Sequence, residues 1–262
     1  MELRLDVYLV QNSLFPSREK AAFAIKSRAI KVNNEIEIKP SRIICHCDSI
    51  EVIANEVLTY VSKGGLKLKK AIDEFGLKFT GKRVLDLGAS TGGFTHCALI
   101  EGAEFVYAID VGTDQLDPSL LISPKVKSFQ NVHIRNVNLS HCDSQKVDII
   151  VADLSFISAL KYLNYFPPLL APDGFVILLI KPQFEVGKLH LNKSGVAKNL
   201  NQHIAIILKI LNFGSSLGLF MNKICKSHRI DSTKNQEYLA LFSFNGNTVK
   251  LSEIEDLLLV GA

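Results

Sequence analysis

The sequence of 262 residues has no long hydrophobic run. Its longest apolar stretches are 175–180 and an LLLV near the C-terminus, whereas a membrane-spanning helix needs about 20 apolar residues. The N-terminus opens with charged residues and lacks the apolar core of a secretory signal. Charged residues make up 21% of the chain and hydrophobic residues 47%, which excludes a disordered or collagen-like protein. We therefore expect a soluble cytoplasmic protein that does not contact membranes.

Cysteine is scarce and unpatterned. The chain has five cysteines, an odd number without the spacing of a disulfide framework, and we expect free thiols in a reducing compartment. The segment Cys45-His46-Cys47 raises the alternative of a metal site, but zinc sites space their paired cysteines more widely and need a second pair. A strand with alternating faces explains the segment more simply, so we expect no bound metal.

The net charge of +4 is too small to indicate a nucleic-acid partner by itself. Its distribution along the chain is more informative, because 61–82 and 181–234 are basic and the segment between them is acidic. Solvated faces of an ordinary protein explain such a pattern. The functional alternative is a basic rim that binds a polyanion around a pocket for a cationic ligand.

Residues 1–60 are interpreted as a small N-terminal module. A helical apolar pattern covers 5–14, and Ser17 is placed to cap a second helix over 18–28. Alternating segments with a turn at Asn33-Asn34 predict a small sheet, and the linker is expected at 55–60. The second helix and the residues just after it carry cations that can contact phosphate groups: Arg18, Lys20, Lys26, Arg28 and Lys31.

Strands alternate with helices from residue 61 to residue 250. The predicted strands are 83–88, 105–110, 126–131, 147–155, 174–181, 220–228 and 237–244. Near-continuous apolar strands separated by helices are typical of a mostly parallel sheet that is covered on both faces. We therefore predict an α/β domain over 61–250 and a C-terminal tail over 251–262.

A glycine-rich turn, DLGASTGGF, follows the first strand of this domain and opens a helix. It matches neither G-x-G-x-x-G nor a P-loop, and tight packing alone explains many such turns. Asp110 and Asp153 end neighbouring strands, at the edge where open α/β sheets bind ligands. The acidic segment suits a cationic cofactor such as S-adenosylmethionine. The candidate cofactor residues are Gly88, Ala89, Ser90, Thr91, Gly92, Gly93, Phe94, Asp110 and Asp153.

Six motifs in order resemble the TlyA family of ribosomal-RNA ribose 2′-O-methyltransferases, which are often labelled haemolysins. They are VSKGGLKL (61–68), DLGASTGGF (86–94), AIDVG (108–112), VADLSFIS (151–158), LIKPQFEVGK (179–188) and NQEYL (235–239). The resemblance implies a Rossmann-like S-adenosylmethionine-dependent methyltransferase sheet of FtsJ type, seven-stranded with an antiparallel last hairpin. It also implies a small α+β N-terminal RNA-binding domain of the ribosomal-protein-S-four type. The implied substrate is a ribose, with cytidine as the family precedent, in ribosomal RNA within ribosomal subunits.

The resemblance also implies the catalytic residues. The family's Lys-Asp-Lys-Glu set falls on Lys67, Asp153, Lys181 and Glu237, and Lys63 beside it is a candidate RNA contact. Two departures stand out. Thr113-Asp114 replaces a usual Tyr-Gly pair, and the stretch before Asn235 lacks the usual glycine.

A ribose hydroxyl is a poor nucleophile, so the enzyme must align it with the methyl group and accept its proton. A lysine does this when burial or a neighbouring cation keeps it neutral part of the time. We assign that role to Lys181, with Asp153 and Glu237 orienting it and Lys67 holding the phosphate or the hydroxyl. Taken singly, each residue is better explained by a surface ion-pair network.

Two other classes of function compete with this interpretation. One is an RNA-binding ribosome-assembly factor that has lost catalysis, which the glycine turn and the four catalytic residue types disfavour. The other is a membrane-active haemolysin, which would need a spanning segment or a long cationic amphipathic helix.

Overall fold

The computed structural model describes residues 2–53, 59–187, 191–197, 199–228 and 235–259. Part of the expected linker at 55–60 therefore lies outside the described residues. The N-terminal module contains β1 (Leu3–Arg4), α1 (Leu5–Gln11), α2 (Arg18–Lys26), β2 (Ile30–Val32), β3 (Glu35–Ile36), β4 (Ile43–Ile44) and β5 (Ile50–Val52).

Local sequence signals explain this module. The Ser17 side chain accepts a hydrogen bond from the Lys20 amide and caps α2, as the sequence predicts. Asn33 and Asn34 have φ of 53° and 67°, a conformation that asparagine tolerates, and they turn β2 into β3. Apolar side chains of α1, α2 and β2 close a small core of their own, so the module is α+β as expected.

The second part of the chain alternates strands and helices. Its elements are α3 (Gly64–Phe75), β6 (Arg83–Leu87), α4 (Gly93–Ile100), β7 (Phe105–Ile109), α5 (Pro118–Leu121), β8 (Val126–Phe129), β9 (Val147–Ala152), β10 (Leu170–Ile180), α6 (Pro182–Glu185), α7 (Leu200–Ser216), β11 (Phe220–Lys226), β12 (Tyr238–Ser243) and α8 (Leu251–Leu259). All seven strands predicted from the sequence are present, with shorter ends at several positions and an earlier start for β10.

These strands form one sheet in the order β11-β12-β10-β9-β6-β7-β8. The five strands from β10 to β8 pair in parallel, and β12 is antiparallel to both of its neighbours. The expected seven-stranded sheet with an antiparallel last hairpin is confirmed. The carboxyl ends of β6, β7, β9 and β10 share one edge, because parallel strands point the same way.

Both faces of the sheet are buried. Ile150 and Leu178 face the core under α7 and α8, whereas Ile149 and Ile177 face the core under α3 and α4. Because alternate residues of a strand point to opposite faces, a doubly covered strand has to be apolar at every position. This is why the strands appear in the sequence as continuous hydrophobic segments.

The C-terminal residues differ from our expectation of a tail. Leu251–Leu259 forms α8, in which Ile254 and Leu258 are buried against the sheet and α7. These two residues stand four apart, so they lie on one face of a helix and give this short segment an apolar side to bury.

Our prediction that all cysteines are free thiols is wrong for one pair. Cys45 and Cys47 are joined in a disulfide, and their side chains lie close to that of Asp48. The two cysteines belong to a turn over 45–48 that the Asp48 amide closes by donating to the Cys45 carbonyl, and the turn brings their side chains together. Cys97, Cys142 and Cys225 are free and buried. No helix within the described ranges has the length and hydropathy needed to cross a membrane.

One charged side chain lies in the middle of the sheet. Asp86 of β6 is fully buried, and one of its oxygens accepts a hydrogen bond from the Thr95 hydroxyl of α4 at 2.6 Å. Burial, with smaller contributions from Asp153 and Asp110, raises the pKa of Asp86 from 3.8 to about 7. The carboxyl group therefore takes up a proton at a pH where an exposed aspartate is ionised.

We predict that the stability of the Asp86→Asn variant, measured relative to wild type, rises progressively as the pH rises. In the wild type the folded chain holds the Asp86 proton up to about pH 7 and the unfolded chain only to about pH 4, so stability falls across that window. The variant has no titratable group at this position, so its stability does not fall across this window for that reason. Its free energy of unfolding relative to wild type should improve by up to about 4 kcal/mol between those pH values.

Denaturant unfolding at several pH values measures this difference. Asp143→Asn is the control, because Lys127 and Tyr107 lower the pKa of Asp143. Its difference from wild type should therefore stay constant between about pH 4 and pH 7 and should change only at lower pH, where the wild type loses the stability that the ionised Asp143 contributes. A difference between Asp86→Asn and wild type that does not vary with pH would contradict the assignment.

Candidate active site

The glycine turn leads from β6 into α4 at the carboxyl edge of the sheet. Gly88 has φ of 83°, and a Cβ atom there would lie 2.8 Å from the carbonyl oxygen of Asp153. At Gly93, a Cβ atom would lie 2.9 Å from backbone atoms of Gly64 and Gly65 at the start of α3. Only glycine fits such contacts, so both positions let backbone segments approach closely around the site.

Gly92, which we predicted as a ligand contact, also has a packing role. Its φ is 90°, and a Cβ atom there would collide with the side chains of Leu116 and Leu120. Leu116 precedes α5 and Leu120 lies within it. Gly92 therefore shapes the turn by packing over this segment, and it is absent from the linings of the two cavities described next.

The larger cavity has a volume of about 360 Å³, within the range of small-molecule sites. It is lined by predicted cofactor residues together with the predicted catalytic residues. The lining residues are Ser62, Lys63, Gly64, Lys67, Gly88, Ala89, Ser90, Thr91, Gly93, Phe94, Asp153, Ser155, Lys181, Gln183, Phe184 and Glu237. The structure thus brings the four predicted catalytic residues and most of the predicted cofactor residues to one cavity.

A chain of alternating charges forms one wall of this cavity. The Lys67 Nζ lies 2.6 Å from a carboxylate oxygen of Glu237 and 4.0 Å from one of Asp153. The Lys181 Nζ lies 2.5 Å from the other oxygen of Asp153. All four side chains are at most 21% exposed. An isolated charge would be costly at this depth, and each of these has an opposite charge beside it.

Lys181 stands where β10 ends and Pro182 begins α6. Its backbone is extended, with φ of −115° and ψ of 95°, as expected before proline. The Nζ also donates a hydrogen bond to the Ser155 hydroxyl at 2.7 Å, and it lies 5.8 Å from the ring centre of Phe184. Lys181 is therefore held from two sides while its nitrogen still borders the cavity.

A smaller cavity of about 10 Å³ lies on the other side of the glycine turn, and Asp110 belongs to it. The Asp110 carboxylate accepts hydrogen bonds from the amides of Ser90 at 2.8 Å and Gly112 at 2.7 Å. Phe129, the last residue of β8, and Gln130, which follows it, also line this cavity. Sequence reasoning missed these two, although their position at a strand's carboxyl end was a usable signal.

An exposed aromatic residue marks the mouth of the site. Phe156 is 90% exposed and has φ of 64°, which is unusual for a bulky residue. Its ring lies 5.1 Å from that of Phe184, which lines the larger cavity. Its solvent exposure is not visible in a sequence, although the motif VADLSFIS contains the residue.

Of the two departures from the family pattern, Thr113-Asp114 lies among the described residues. Asp114 has φ of 53°, a conformation that favours glycine and that aspartate tolerates. The stretch before Asn235 lies outside the described residues. Asn235 itself accepts a hydrogen bond from the Ala197 amide at 2.8 Å and donates one to the Gly195 carbonyl at 3.1 Å, so it anchors 195–197 beside β12.

The predicted RNA-binding cations have different surroundings. Arg18 pairs with the buried Asp6 at 3.0 Å, and Lys31 pairs with Glu51 at 3.2 Å. Lys26 and Arg28 are exposed, with no ion pair among the described residues. Lys63 lines the larger cavity. The structure therefore leaves Lys26, Arg28 and Lys63 the most available for a polyanion.

Lys20 connects the two parts of the chain. Its Nζ lies 2.6 Å from a carboxylate oxygen of Asp117, and the Asp117 amide donates to the Thr91 carbonyl in the glycine turn at 3.2 Å. Phe23, also on α2, packs against the core under α3 and α4. We predicted Lys20 as an RNA contact, but here it holds the N-terminal module against the cofactor side of the sheet.

The sequence matches the FtsJ-like methyltransferase family over residues 60–244 and the S4 domain over residues 3–50. It is 33% identical over 253 residues to the putative rRNA methyltransferase YqxC of Bacillus subtilis, covering 97% of this chain and 90% of that protein. It is 34% identical over 215 residues to the 16S/23S rRNA (cytidine-2′-O)-methyltransferase TlyA of Mycobacterium tuberculosis, covering 82% and 80%.

A solved structure, a putative hemolysin from Streptococcus thermophilus, has the same overall fold. Its TM-score is 0.76 at 30% sequence identity, covering 98% of this chain and 94% of that chain. These likenesses cover both the N-terminal module and the sheet domain that carries the four clustered charges. The chain belongs to the TlyA family of FtsJ-like methyltransferases and begins with an S4 domain.

Proposed function

We propose that the protein transfers the methyl group of S-adenosylmethionine to the 2′-hydroxyl of a ribose in ribosomal RNA. The proposed nucleoside is a cytidine, and the proposed substrate particle is a ribosomal subunit in the cytoplasm. One observation carries the proposal: the charge chain formed by Lys67, Asp153, Lys181 and Glu237 opens into the cavity that the glycine turn lines. The printed names of the relatives support the choice of substrate.

The residues around the glycine turn fit this cofactor. Gly88 and Gly93 keep side chains out of the space where backbone borders the larger cavity. Asp153 places negative charge there, which favours a cationic group. The Asp110 carboxylate can accept hydrogen bonds from ribose hydroxyls, and Phe129 offers an apolar surface beside it. S-adenosylmethionine, when bound, supplies a methyl group already activated by a positively charged sulfur.

Each of the four clustered charged side chains has a proposed role in the methyl transfer. Lys181 would accept the proton of the ribose 2′-hydroxyl on Nζ, and S-adenosylmethionine held at the glycine turn would supply the methyl group to the 2′-oxygen. Asp153, 2.5 Å away, stabilises the ammonium that results. Lys67 is held by Glu237 at 2.6 Å and faces the same cavity, where its charge can orient the hydroxyl or the adjacent phosphate.

RNA would be held by both parts of the chain. Lys26 and Arg28 of the S4 domain and Lys63 at the cavity are the cations available for phosphate groups. Phe156 offers an exposed ring beside the cavity on which an unstacked base can rest. This arrangement suits a nucleotide presented out of its helical stack.

Transfer of radiolabelled methyl groups to ribosomal subunits tests the function directly. Subunits from cells that lack this enzyme should accept about one methyl group each, and mass mapping should place it on a cytidine 2′-oxygen. Binding to the subunits without any incorporation of label would identify the protein as an RNA-binding assembly factor instead.

We predict that Gly88→Ala weakens cofactor binding by about tenfold or more, because its new Cβ meets the Asp153 carbonyl oxygen. Gly218→Ala is the matched control, since Gly218 has a similar φ of 77° with nothing within 4 Å of the added atom. Calorimetry with S-adenosylmethionine measures both variants. Equal affinity in the two folded variants would show that the turn does not border the cofactor.

We predict that Lys181→Ala and Lys181→Arg both slow single-turnover methyl transfer by about 10²- to 10⁴-fold. Arginine keeps the charge, but a guanidinium stays protonated and cannot accept the ribose proton. Affinities for cofactor and subunits should change far less, because the contact matters mainly in the transition state. A Lys181→Ala rate within about threefold of wild type would rule out the base role.

We predict that the double variant Lys26→Gln, Arg28→Gln binds ribosomal subunits more weakly and with a shallower salt dependence. Each lost phosphate contact should reduce the slope of log affinity against log salt by about one. Lys125→Gln is the control, an exposed lysine at the opposite end of the parallel strands from the cavity. Equal effects of the two changes would mean that the S4 domain contributes only general positive charge.

A further inference from the structure

Ser155 holds the proposed base. It follows β9, two residues after Asp153, and its hydroxyl oxygen accepts a hydrogen bond from the Lys181 Nζ at 2.7 Å. It also lines the larger cavity. We propose that Ser155 is a positioning residue, whose hydroxyl orients the Lys181 nitrogen so that its lone pair faces the ribose. This inference rests on the proposed role of Lys181 as a base.

The geometry of an amine explains the need for two anchors. A neutral lysine side chain has two N–H bonds and one lone pair on Nζ, and only the lone pair can accept a proton. In the described part of the chain, the polar contacts of this nitrogen are with Asp153 at 2.5 Å and Ser155 at 2.7 Å. The Ser155 oxygen accepts an N–H, whereas the Asp153 oxygen pairs with the nitrogen by charge, so the hydrogen bond to Ser155 sets the rotation of the amine and the direction left for the substrate.

A single anchor would leave the nitrogen free to rotate. With Asp153 alone, rotation about the Cε–Nζ bond would move the lone pair out of line with the hydroxyl. The ring of Phe184 lies 5.8 Å away and offers no hydrogen-bond acceptor that would replace Ser155. In-line methyl transfer requires close alignment of the reacting atoms. Loss of the Ser155 hydrogen bond should therefore lower the rate constant of methyl transfer.

The segment that carries Ser155 is held independently of Lys181. The Ser158 hydroxyl donates to Glu185 of α6 at 2.6 Å, and the Ala159 amide donates to the same carboxylate at 2.7 Å. Ser158→Ala therefore loosens this segment without removing a contact to Lys181. It is the matched control that separates general disorder of the segment from the loss of one oriented hydrogen bond.

The pH dependence of the reaction distinguishes positioning from a merely structural role. The ammonium form gains more from an oxygen acceptor than the amine does, because a charge-assisted hydrogen bond is stronger. Removing the Ser155 hydroxyl therefore favours the neutral amine, and the acid limb of the rate profile should move to lower pH. The other charged groups facing Lys181 are Asp153, Lys67 and Glu237, and none of them changes in the variants.

The experiment measures single-turnover methyl transfer to ribosomal subunits between about pH 6 and pH 9. Full-length wild type, Ser155→Ala, Ser155→Thr and Ser158→Ala are compared at saturating cofactor and subunits. For Ser155→Ala we expect a rate plateau about tenfold lower and an acid limb shifted to lower pH, with calorimetric cofactor affinity unchanged. Ser155→Thr keeps a hydroxyl and should restore both features, and Ser158→Ala should keep the wild-type pH profile.

Several results would overturn the inference. They are a Ser155→Ala plateau within about twofold of wild type, an acid limb that does not move, or the same shift in Ser158→Ala. These failures differ from a failure of the proposed function. If wild type transfers no methyl group the function is wrong, and if Lys181→Ala remains active the base role is wrong. A normal Ser155→Ala beside an inactive Lys181→Ala refutes the role of Ser155 alone.

Discussion

The chain of alternating charges is the constraint on which the rest of the site depends. It joins Lys67 of α3, Asp153 after β9, Lys181 after β10 and Glu237 before β12 within contact distance. Losing one partner would leave another charge buried without compensation, which costs several times more than a surface ion pair contributes. These ion pairs therefore fix how α3 lies across the carboxyl edge of the sheet. They also leave the amines of Lys67 and Lys181 beside one cavity.

Close backbone contact is the second constraint, and glycine satisfies it. Gly93 and Gly64 let the starts of α3 and α4 touch, and Gly88 lets the turn pass over the Asp153 carbonyl. The same turn rests on α5 through Gly92 and is tied to the Asp110 carboxylate through the Ser90 amide. The proposed cofactor contacts and the four clustered charges thus lie at one edge of the sheet, an arrangement that suits the alignment needed for group transfer.

The S4 domain contributes in two ways. Lys20 and Phe23 on one side of α2 hold the domain against the methyltransferase part, next to the glycine turn. Lys26 and Arg28, at and just after the end of the same helix, remain exposed for phosphate groups. One short helix therefore attaches the domain and ends next to these exposed cations, so the proposed RNA-binding surface lies on the element that contacts the methyltransferase part.

Patterns in the sequence predicted the strand order along the chain, the glycine turn and the acids at strand ends, whereas the set of four clustered charges came from the resemblance to the family. Apolar strands covered on both faces and acids at strand ends are local patterns that can be recognised in the sequence before the fold is known.

Three features were decided only by tertiary structure. Whether a cation such as Lys20 meets phosphate or Asp117 depends on what packs opposite it. Whether Gly92 faces ligand or leucine depends on α5. The contact between Ser155 and Lys181, 26 residues apart, exists because β9 and β10 end side by side, and no local pattern encodes the direction of a side chain across two strands.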